Sequence, residues 1–148
     1  MTIYRICRAK YPANDGAGAQ LADGRWNHKG TPLVSCGAPA TLCALEVLAH
    51  SAKLPADMIV IGARIPKSVS IRTIEEADFP ANWNGPVARK KTKDIGTSWA
   101  KSGATAVLSV PSVVVPNERN YLLNPAHSDF SRIRFSAPQP FVFDKRLQ

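Results

Sequence analysis

Short β-type runs separated by proline and glycine are the feature that most limits how this chain can fold. The chain contains 12 prolines and 9 glycines; proline interrupts helices and central strands, and glycine permits tight turns. Runs rich in valine, isoleucine, threonine and aromatic residues between such breakers predict strands. Such runs occupy residues 3–7, 31–36, 58–65, 69–73, 105–110, 121–123, 133–135 and 141–143.

Two segments, residues 39–53 and 94–101, are predicted to form helices. Because strands and helices do not alternate regularly, as they do in doubly wound folds, the pattern predicts an α+β fold. We expect a compact single domain over residues 1–148, with central, mostly antiparallel β-sheets and a few flanking helices.

The composition is that of a globular protein with an apolar core. Of 148 residues, 45% are hydrophobic and 20% are charged, so neither disulfides nor a structural metal is needed for folding. The three cysteines, Cys7, Cys36 and Cys43, fit no C-x-x-C spacing and are expected to be reduced thiols. Cys43 and His50 could share a helical face, but no second pair of ligands accompanies them, so we expect no metal site.

We expect a cytoplasmic protein with no membrane partner. No apolar run approaches the ~18 residues that would span a bilayer. The N-terminal segment MTIYRICRAK also lacks the apolar core and the cleavage site of a signal peptide.

The net charge of +8 indicates an anionic partner: nucleic acid, a membrane surface, a small anion or an acidic protein. The densest basic run, residues 89–93, has no interleaved aromatic residue and is interpreted as a solvated loop. A non-catalytic, basic nucleic-acid-binding module remains an alternative, and it predicts binding that weakens steeply with salt.

The helix predicted over residues 39–53 carries one carboxylate near its apolar face. With successive residues about 100° apart around the helix axis, its apolar residues span an arc of about 120° that should face the core. These residues are Leu42, Leu45, Leu48, Ala49 and Ala52. Glu46 falls about 40° past Leu42, at the border of this face, with His50 one turn further on. Either Glu46 is a rim residue that reaches water or Lys53, or it lines a cleft where its charge serves chemistry.

The loop GRWNHKG, residues 24–30, places an arginine between two glycines. In one interpretation the loop only joins two strands, with Trp26 in the core and Arg25 in solvent. In the other, the planar guanidinium of Arg25 binds a pyrophosphate or carboxylate that approaches closely over glycine. These residues alone leave both interpretations open.

The segments GRWNHKGTPLVS, ATLCALEVLAH, VLSVPSVVVPNERNYLLNPAHSDF and PFVFDKRL together closely resemble the RES-domain family, the toxins of RES–Xre toxin–antitoxin systems. The resemblance runs in order from Tyr4 to Leu147. It implies a fold related to ADP-ribosyltransferases and an activity that consumes NAD+. The arginine, glutamate and serine that name the family fall on Arg25, Glu46 and Ser112, with Ser109 as the alternative serine.

Further positions also match or depart from the family pattern. Asn120, Asn124 and His127 match the family pattern and are expected to shape the strand and loop rather than to touch substrate. Relatives usually carry a tyrosine that stacks on the cofactor in the strand after GRWN, where this chain has Ser35. Tyr4 and Trp26 are the rings that could replace it.

The implied chemistry suits these residue types. The C1′–N bond of NAD+ breaks through an oxocarbenium-like state, so a carboxylate at Glu46 would stabilise the developing positive charge. Arg25 would bind the pyrophosphate bidentately, and Ser112 would hydrogen-bond the ribose or position Glu46. Glu118 is the next candidate if the catalytic carboxylate lies elsewhere.

The resemblance therefore implies a toxin that degrades NAD+ by hydrolysis or phosphorolysis, with protein ADP-ribosylation as the alternative. NAD+ is its substrate, and no permanently bound cofactor is expected. The implied partner is an Xre-type antitoxin that forms a hetero-oligomer with the toxin and blocks its active site. Contact with DNA would come only through that antitoxin.

Overall fold

The computed structural model describes residues 1–12, 14–86 and 89–148. Within those residues it contains eight strands, three α-helices and short 3₁₀ turns. The strands are β1 (Thr2–Arg8), β2 (Val34–Ala38), β3 (Met58–Arg64), β4 (Ile71–Thr73), β5 (Val107–Pro111), β6 (Arg119–Leu123), β7 (Arg134–Phe135) and β8 (Gln139–Phe141). The helices are α1 (Ala17–Leu21), α2 (Ala40–Ala49) and α3 (Arg89–Ser102).

The strands of the described residues form one mixed sheet in the order β4-β5-β6-β2-β1-β3-β7, and β8 also pairs with β3. The β4–β5 pair is parallel, and the other pairings are antiparallel. The predicted α+β class with mostly antiparallel pairing is confirmed, although one sheet replaces the several that were expected. No helix in the described part of the chain is long and apolar enough to span a membrane.

Helices α2 and α3 cover the same face of this sheet. Side chains alternate along a strand, so Asn120 and Leu122 of β6 point to one face and Leu123 to the other. Leu122 packs in a cluster with Trp99 of α3, and Asn120 hydrogen-bonds Glu46 of α2. The opposite face is covered by a separate apolar cluster that includes Ile3, Val107, Leu123 and Ile133.

The basic run at residues 89–93 is not the solvated loop that its charge predicted. It forms the first turns of α3, whose buried residues are Thr92, Gly96, Thr97, Trp99 and Ala100. These small or apolar residues recur at helical spacing, but the flanking lysines hide the pattern in the sequence. The run thus begins a helix that packs through Thr92 and presents residues 89–91 to solvent.

The buried face of α2 also differs from the predicted one. Leu42 and Cys43 are buried, whereas Leu45 is 43% exposed, and the helix ends at Ala49 before Ala52. The cause is Gly37 of β2, because a Cβ there would lie only 3.1 Å from Cys43 Sγ. The missing side chain lets α2 approach the strand along its Cys43 side.

Candidate active site

A cavity of about 450 Å³ lies on the helix-covered face of the sheet, beside α2 and residues 24–27. Its volume is within the range of about 300–1,000 Å³ that is typical of small-molecule sites. Of the sequence-predicted site residues, Arg25, Trp26, Ser35 and Glu46 lie on its walls. Asn120, which was expected only to shape its strand, also lines the cavity.

Glu46 is held in the cavity wall by two hydrogen bonds to one oxygen. Its Oε1 accepts from Ser112 Oγ at 2.9 Å and from Asn120 Nδ2 at 2.6 Å. These donors come from the end of β5 and from β6, so the carboxylate of α2 is attached to the sheet rather than paired with Lys53. Neither donor engages Oε2.

Of the two candidate serines, the structure brings Ser112 to Glu46. Ser109 is buried and its Oγ accepts from Arg119 Nε at 2.7 Å, away from the carboxylate. Glu118 does not line the cavity, and its backbone oxygen accepts the hydrogen bond of Ser112 N.

Arg25 faces the same cavity with an unsatisfied donor. Nη1 of Arg25 is buried and has no hydrogen-bond partner among the residues that the structure describes. Burial and the nearby charge of Arg89 lower the pKa of the Arg25 guanidinium, and the charge of Glu46 opposes this shift. Across the described residues, Arg25 forms no salt bridge with Glu46. An anionic ligand would supply the missing partner.

Helix α3 positions Arg25 by binding the backbone of its loop. Thr92 Oγ1 donates to the carbonyl oxygen of Arg25 at 2.8 Å. His28 N donates to Thr97 Oγ1 at 2.9 Å, and His28 Nε2 lies 2.6 Å from Asp94 Oδ1. The basic segment thus supports the arginine loop.

Gly96 is required for this docking, because a Cβ at this position would overlap the carbonyl oxygen of Trp26. We expect Gly96→Ala to destabilise the protein by about 1–2 kcal/mol, since overpacking exceeds the gain of about 1 kcal/mol in helix propensity. The matched control is Gly18→Ala in α1, where a Cβ meets nothing within 4 Å. Chemical denaturation measures both variants; equal stability of Gly96→Ala and the parent would contradict the docking argument.

Among the described residues, neither Tyr4 nor Trp26 offers a free ring in place of the tyrosine that the family resemblance implied. Ser35 is exposed on β2 and lines the cavity. Tyr4 packs instead in the apolar cluster under α2, outside the cavity wall, which corrects the expectation that it offers a ring. Trp26 lines the cavity, but its buried ring packs on Phe79 and Trp83 at centroid distances of 5.6 and 6.2 Å.

Two of the other residues that match the family pattern, Asn124 and His127, make side-chain hydrogen bonds to the backbone. Asn124 is buried, donates from Nδ2 to Ala100 O at 2.9 Å, and accepts from Ala126 N. His127 caps a 3₁₀ turn by accepting from Asp129 N. Asn120 differs, because its side chain points into the cavity wall and bonds Glu46.

Arg5 is a second cationic residue on the cavity wall that the sequence patterns did not single out. It lies on β1, and its Nη1 donates to Asn14 Oδ1 at 2.9 Å. The available signal was a charged residue within an otherwise apolar strand, between Ile3 and Ile6.

The cavity also contains a thiol that is suited to packing rather than to reaction. Burial raises the pKa of Cys43 to about 11, and the charge of Glu46 adds to the shift. The protonated Sγ donates to Tyr4 O at 3.0 Å. Among the described residues, no group of three or more histidine, cysteine, aspartate or glutamate side chains could hold a metal ion.

The site can therefore bind an anionic group of a ligand at Arg25 and place the Glu46 carboxylate beside another part of the same ligand. Such a carboxylate stabilises positive charge that develops during bond cleavage. The two functions come from different elements, the loop docked on α3 and helix α2, and the sheet fixes the distance between them.

Several known proteins are similar to this chain in sequence or in fold. The chain is 37% identical over 153 residues to Toxin Res of Yersinia enterocolitica, with all of both chains covered. It is 35% identical to the Prs ADP-ribosylating toxin of Sphingobium sp., over 93% of this chain and 89% of that protein. The fold matches the crystal structure of the Mycobacterium tuberculosis MbcT-MbcA toxin-antitoxin complex with a TM-score of 0.74 and 17% identity, over 99% of this chain and 85% of the other. A model of the RES domain matches residues 2–144, and the chain therefore belongs to the RES domain family.

Proposed function

We propose that this protein is a toxin that consumes NAD+ by breaking the bond between nicotinamide and ribose. The observation that carries the proposal is that one cavity holds both the Glu46 carboxylate and the buried Nη1 of Arg25, which has no hydrogen-bond partner among the described residues. NAD+ carries both complementary features, a pyrophosphate and a cationic nicotinamide on ribose. It is the substrate, and the proposal includes no permanently bound cofactor.

Arg25 would bind the pyrophosphate through the planar fork of its guanidinium. This contact would fix the nicotinamide ribose relative to Glu46, so that the energy of pyrophosphate binding is used to orient the ribose. Arg5 adds a second positive charge on the cavity wall.

Glu46 would act at the step where charge develops. As the C1′–N bond breaks, nicotinamide leaves with the bonding electron pair and the ribose gains oxocarbenium character. The carboxylate stabilises that positive charge or holds the ribose hydroxyls. The acceptor oxygen of water or phosphate then bonds to C1′ and loses its proton.

Ser112 is better suited to position Glu46 than to bind ribose. Its hydroxyl donates to Glu46 and accepts from Val114 N and Val115 N, both at 3.1 Å. One donor and two acceptor lone pairs are all that a serine hydroxyl has.

Protein ADP-ribosylation is the second candidate. It is favoured by one observation, the 35% identity to a relative named Prs ADP-ribosylating toxin. The same cavity would serve both reactions, since only the acceptor at C1′ differs.

Incubation of the pure protein with NAD+, with and without phosphate, tests the proposal in one experiment. Chromatography would give ADP-ribose for hydrolysis and ADP-ribose 1″-phosphate for phosphorolysis, each with free nicotinamide. A parallel reaction with cell extract and labelled NAD+ would detect protein modification. If no nicotinamide is released in any arm, the proposed function is wrong.

We further propose that the cytoplasm is the site of action and that an Xre-type antitoxin silences the toxin there. The solved structure with the matching fold contains a toxin together with its antitoxin, and the net charge of +8 would steer an acidic segment toward this chain. DNA would then be contacted through the antitoxin. Co-expression with the neighbouring gene, followed by size-exclusion and mass measurements, tests the pairing, and failure to co-purify would count against it.

A basic nucleic-acid-binding module is less well supported. Within the basic run, Lys90 and Lys93 pair with Asp94 and Asp23 at 3.1 and 2.9 Å, and Thr92 holds the Arg25 loop. A gel shift at two salt concentrations, beside the NAD+ assay, would separate the two functions, because phosphate contacts weaken with salt.

A further inference from the structure

We propose that Asn120 is a positioning residue that orients the Glu46 carboxylate. The 2.6 Å contact joins Asn120 Nδ2 to the same oxygen that Ser112 Oγ contacts at 2.9 Å. With both donors on Oε1, the plane of the carboxylate is fixed and Oε2 remains for other partners. Orientation of this kind matters because a catalytic group misplaced by about 1 Å can lose about 100-fold in rate.

The two donors are themselves held rigidly. Ser112 Oγ accepts from two backbone amides, Val114 N and Val115 N, so its proton can only point to Glu46. Asn120 lies within β6, where it pairs with Gly37 of β2 on one side and Val110 of β5 on the other. A residue on a paired strand holds its side chain more precisely than a residue on a loop.

Gly37 gives the Asn120 side chain its route to Glu46. A Cβ on Gly37 would lie 3.3 Å from Asn120 Oδ1 and 3.1 Å from Cys43 Sγ. The side-chain amide of Asn120 therefore lies over Gly37 in β2, and α2 packs against the same glycine through Cys43. This arrangement links strand register to the position of the carboxylate.

Asn124 shows what a purely structural asparagine does in the same segment. Its side chain donates a hydrogen bond to Ala100 O and accepts one from Ala126 N. Asn124 does not line the cavity. Asn120 makes its side-chain hydrogen bond to Glu46 instead. Asn124→Ala is therefore the matched control for Asn120→Ala.

The first test is kinetic, and it rests on the proposed function. Asn120→Ala should lower kcat for NAD+ consumption about 10- to 100-fold, with KM changed less than about threefold because Asn120 acts through Glu46. Asn124→Ala should lower the melting temperature and leave kcat per folded molecule unchanged, because it removes buried backbone partners. A raised KM with unchanged kcat in Asn120→Ala would overturn the positioning role.

A double-mutant cycle separates positioning from general damage. In a Glu46→Gln background the charge that Asn120 orients is already gone, so Asn120→Ala should change the residual rate by less than about threefold. The same fold-loss in both backgrounds would mean that Asn120 acts independently of Glu46, which contradicts the proposal.

Crystal structures of Asn120→Ala and the parent provide a readout that needs no activity. We expect the Glu46 carboxylate to leave its single orientation or to occupy several rotamers in the variant. An unchanged carboxylate, held by Ser112 alone, would overturn the inference even if the protein consumes NAD+. Conversely, a parent that releases no nicotinamide would refute the proposed function, while a displaced Glu46 would still support the positioning role.

Discussion

Glu46→Gln is expected to lower NAD+ turnover by about two or more orders of magnitude, the loss typical of removing one transition-state charge contact. Glutamine has the same shape and still offers Oε1 to Ser112 Oγ and Asn120 Nδ2, the two donors that Glu46 engages. The hydrogen bonds can therefore survive while the negative charge is lost. The KM for NAD+ should remain within a few-fold of that of the parent.

The same variant should fold normally, because glutamine keeps the volume of the side chain and can accept the same two hydrogen bonds. Its melting temperature should stay close to that of the parent, and cells should tolerate it without antitoxin where the parent arrests growth. Loss of both folding and activity would make Glu46 a structural residue. Full activity would mean that Glu46 is not the catalytic carboxylate.

The local sequence pattern predicted most of the strands, but it did not predict the bounds of the helices. The predicted run at residues 58–65 became β3, Met58–Arg64, because consecutive β-branched residues favour a buried strand. The run at residues 141–143 was displaced, since the strand is Gln139–Phe141 and is defined by its pairing with β3. Helix α1, Ala17–Leu21, was missed because five residues are too few to show a helical period.

Helix α3 shows why local pattern fails where tertiary contacts decide. The lysines of residues 89–93 indicated a loop, yet Thr92 is buried because it bonds the backbone of Arg25, 67 positions away. Gly96 is unfavourable within a helix by propensity, but the close approach of the Trp26 backbone requires it. Neither contact can be read from the residues next to it in sequence.

For the candidate site, helical geometry left the role of Glu46 open, and only the family resemblance selected it together with Arg25 and Ser112. The hydrogen bond to Asn120 depends on the pairing of Asn120 with Gly37 across two strands. Tyr4 was misjudged and Arg5 was not singled out, because which residues of β1 reach the cavity depends on how β1 pairs within the sheet. Strand register is a property of the whole sheet, so these assignments needed the structure.

Arg25→Lys is expected to weaken NAD+ binding about 10- to 100-fold, seen mainly as a higher KM, with the fold intact. Lysine keeps the positive charge but replaces a planar fork with a point charge, so the two-pronged contact to pyrophosphate is lost. Arg134→Lys, at an exposed position on β7, is the control and should behave as the parent. An Arg25→Lys variant that consumes NAD+ as fast as the parent would contradict the pyrophosphate role.

Arg25→Met separates binding from stability at the same position. Because Nη1 of Arg25 is buried without a partner among the described residues, the free protein carries the desolvation cost of that donor, about 1–3 kcal/mol. Methionine fills similar space without a polar group, so the free variant should unfold at higher denaturant concentration than the parent while losing NAD+ binding. In a Glu46→Gln background, which should bind NAD+ without consuming it, saturating NAD+ should raise the stability of the chain that keeps Arg25. It should not raise the stability of the chain that also carries Arg25→Met, because only the former binds the ligand. A variant less stable than the ligand-free parent would show that the guanidinium already has its partner within the protein, and the anion site would then have to lie elsewhere in the cavity.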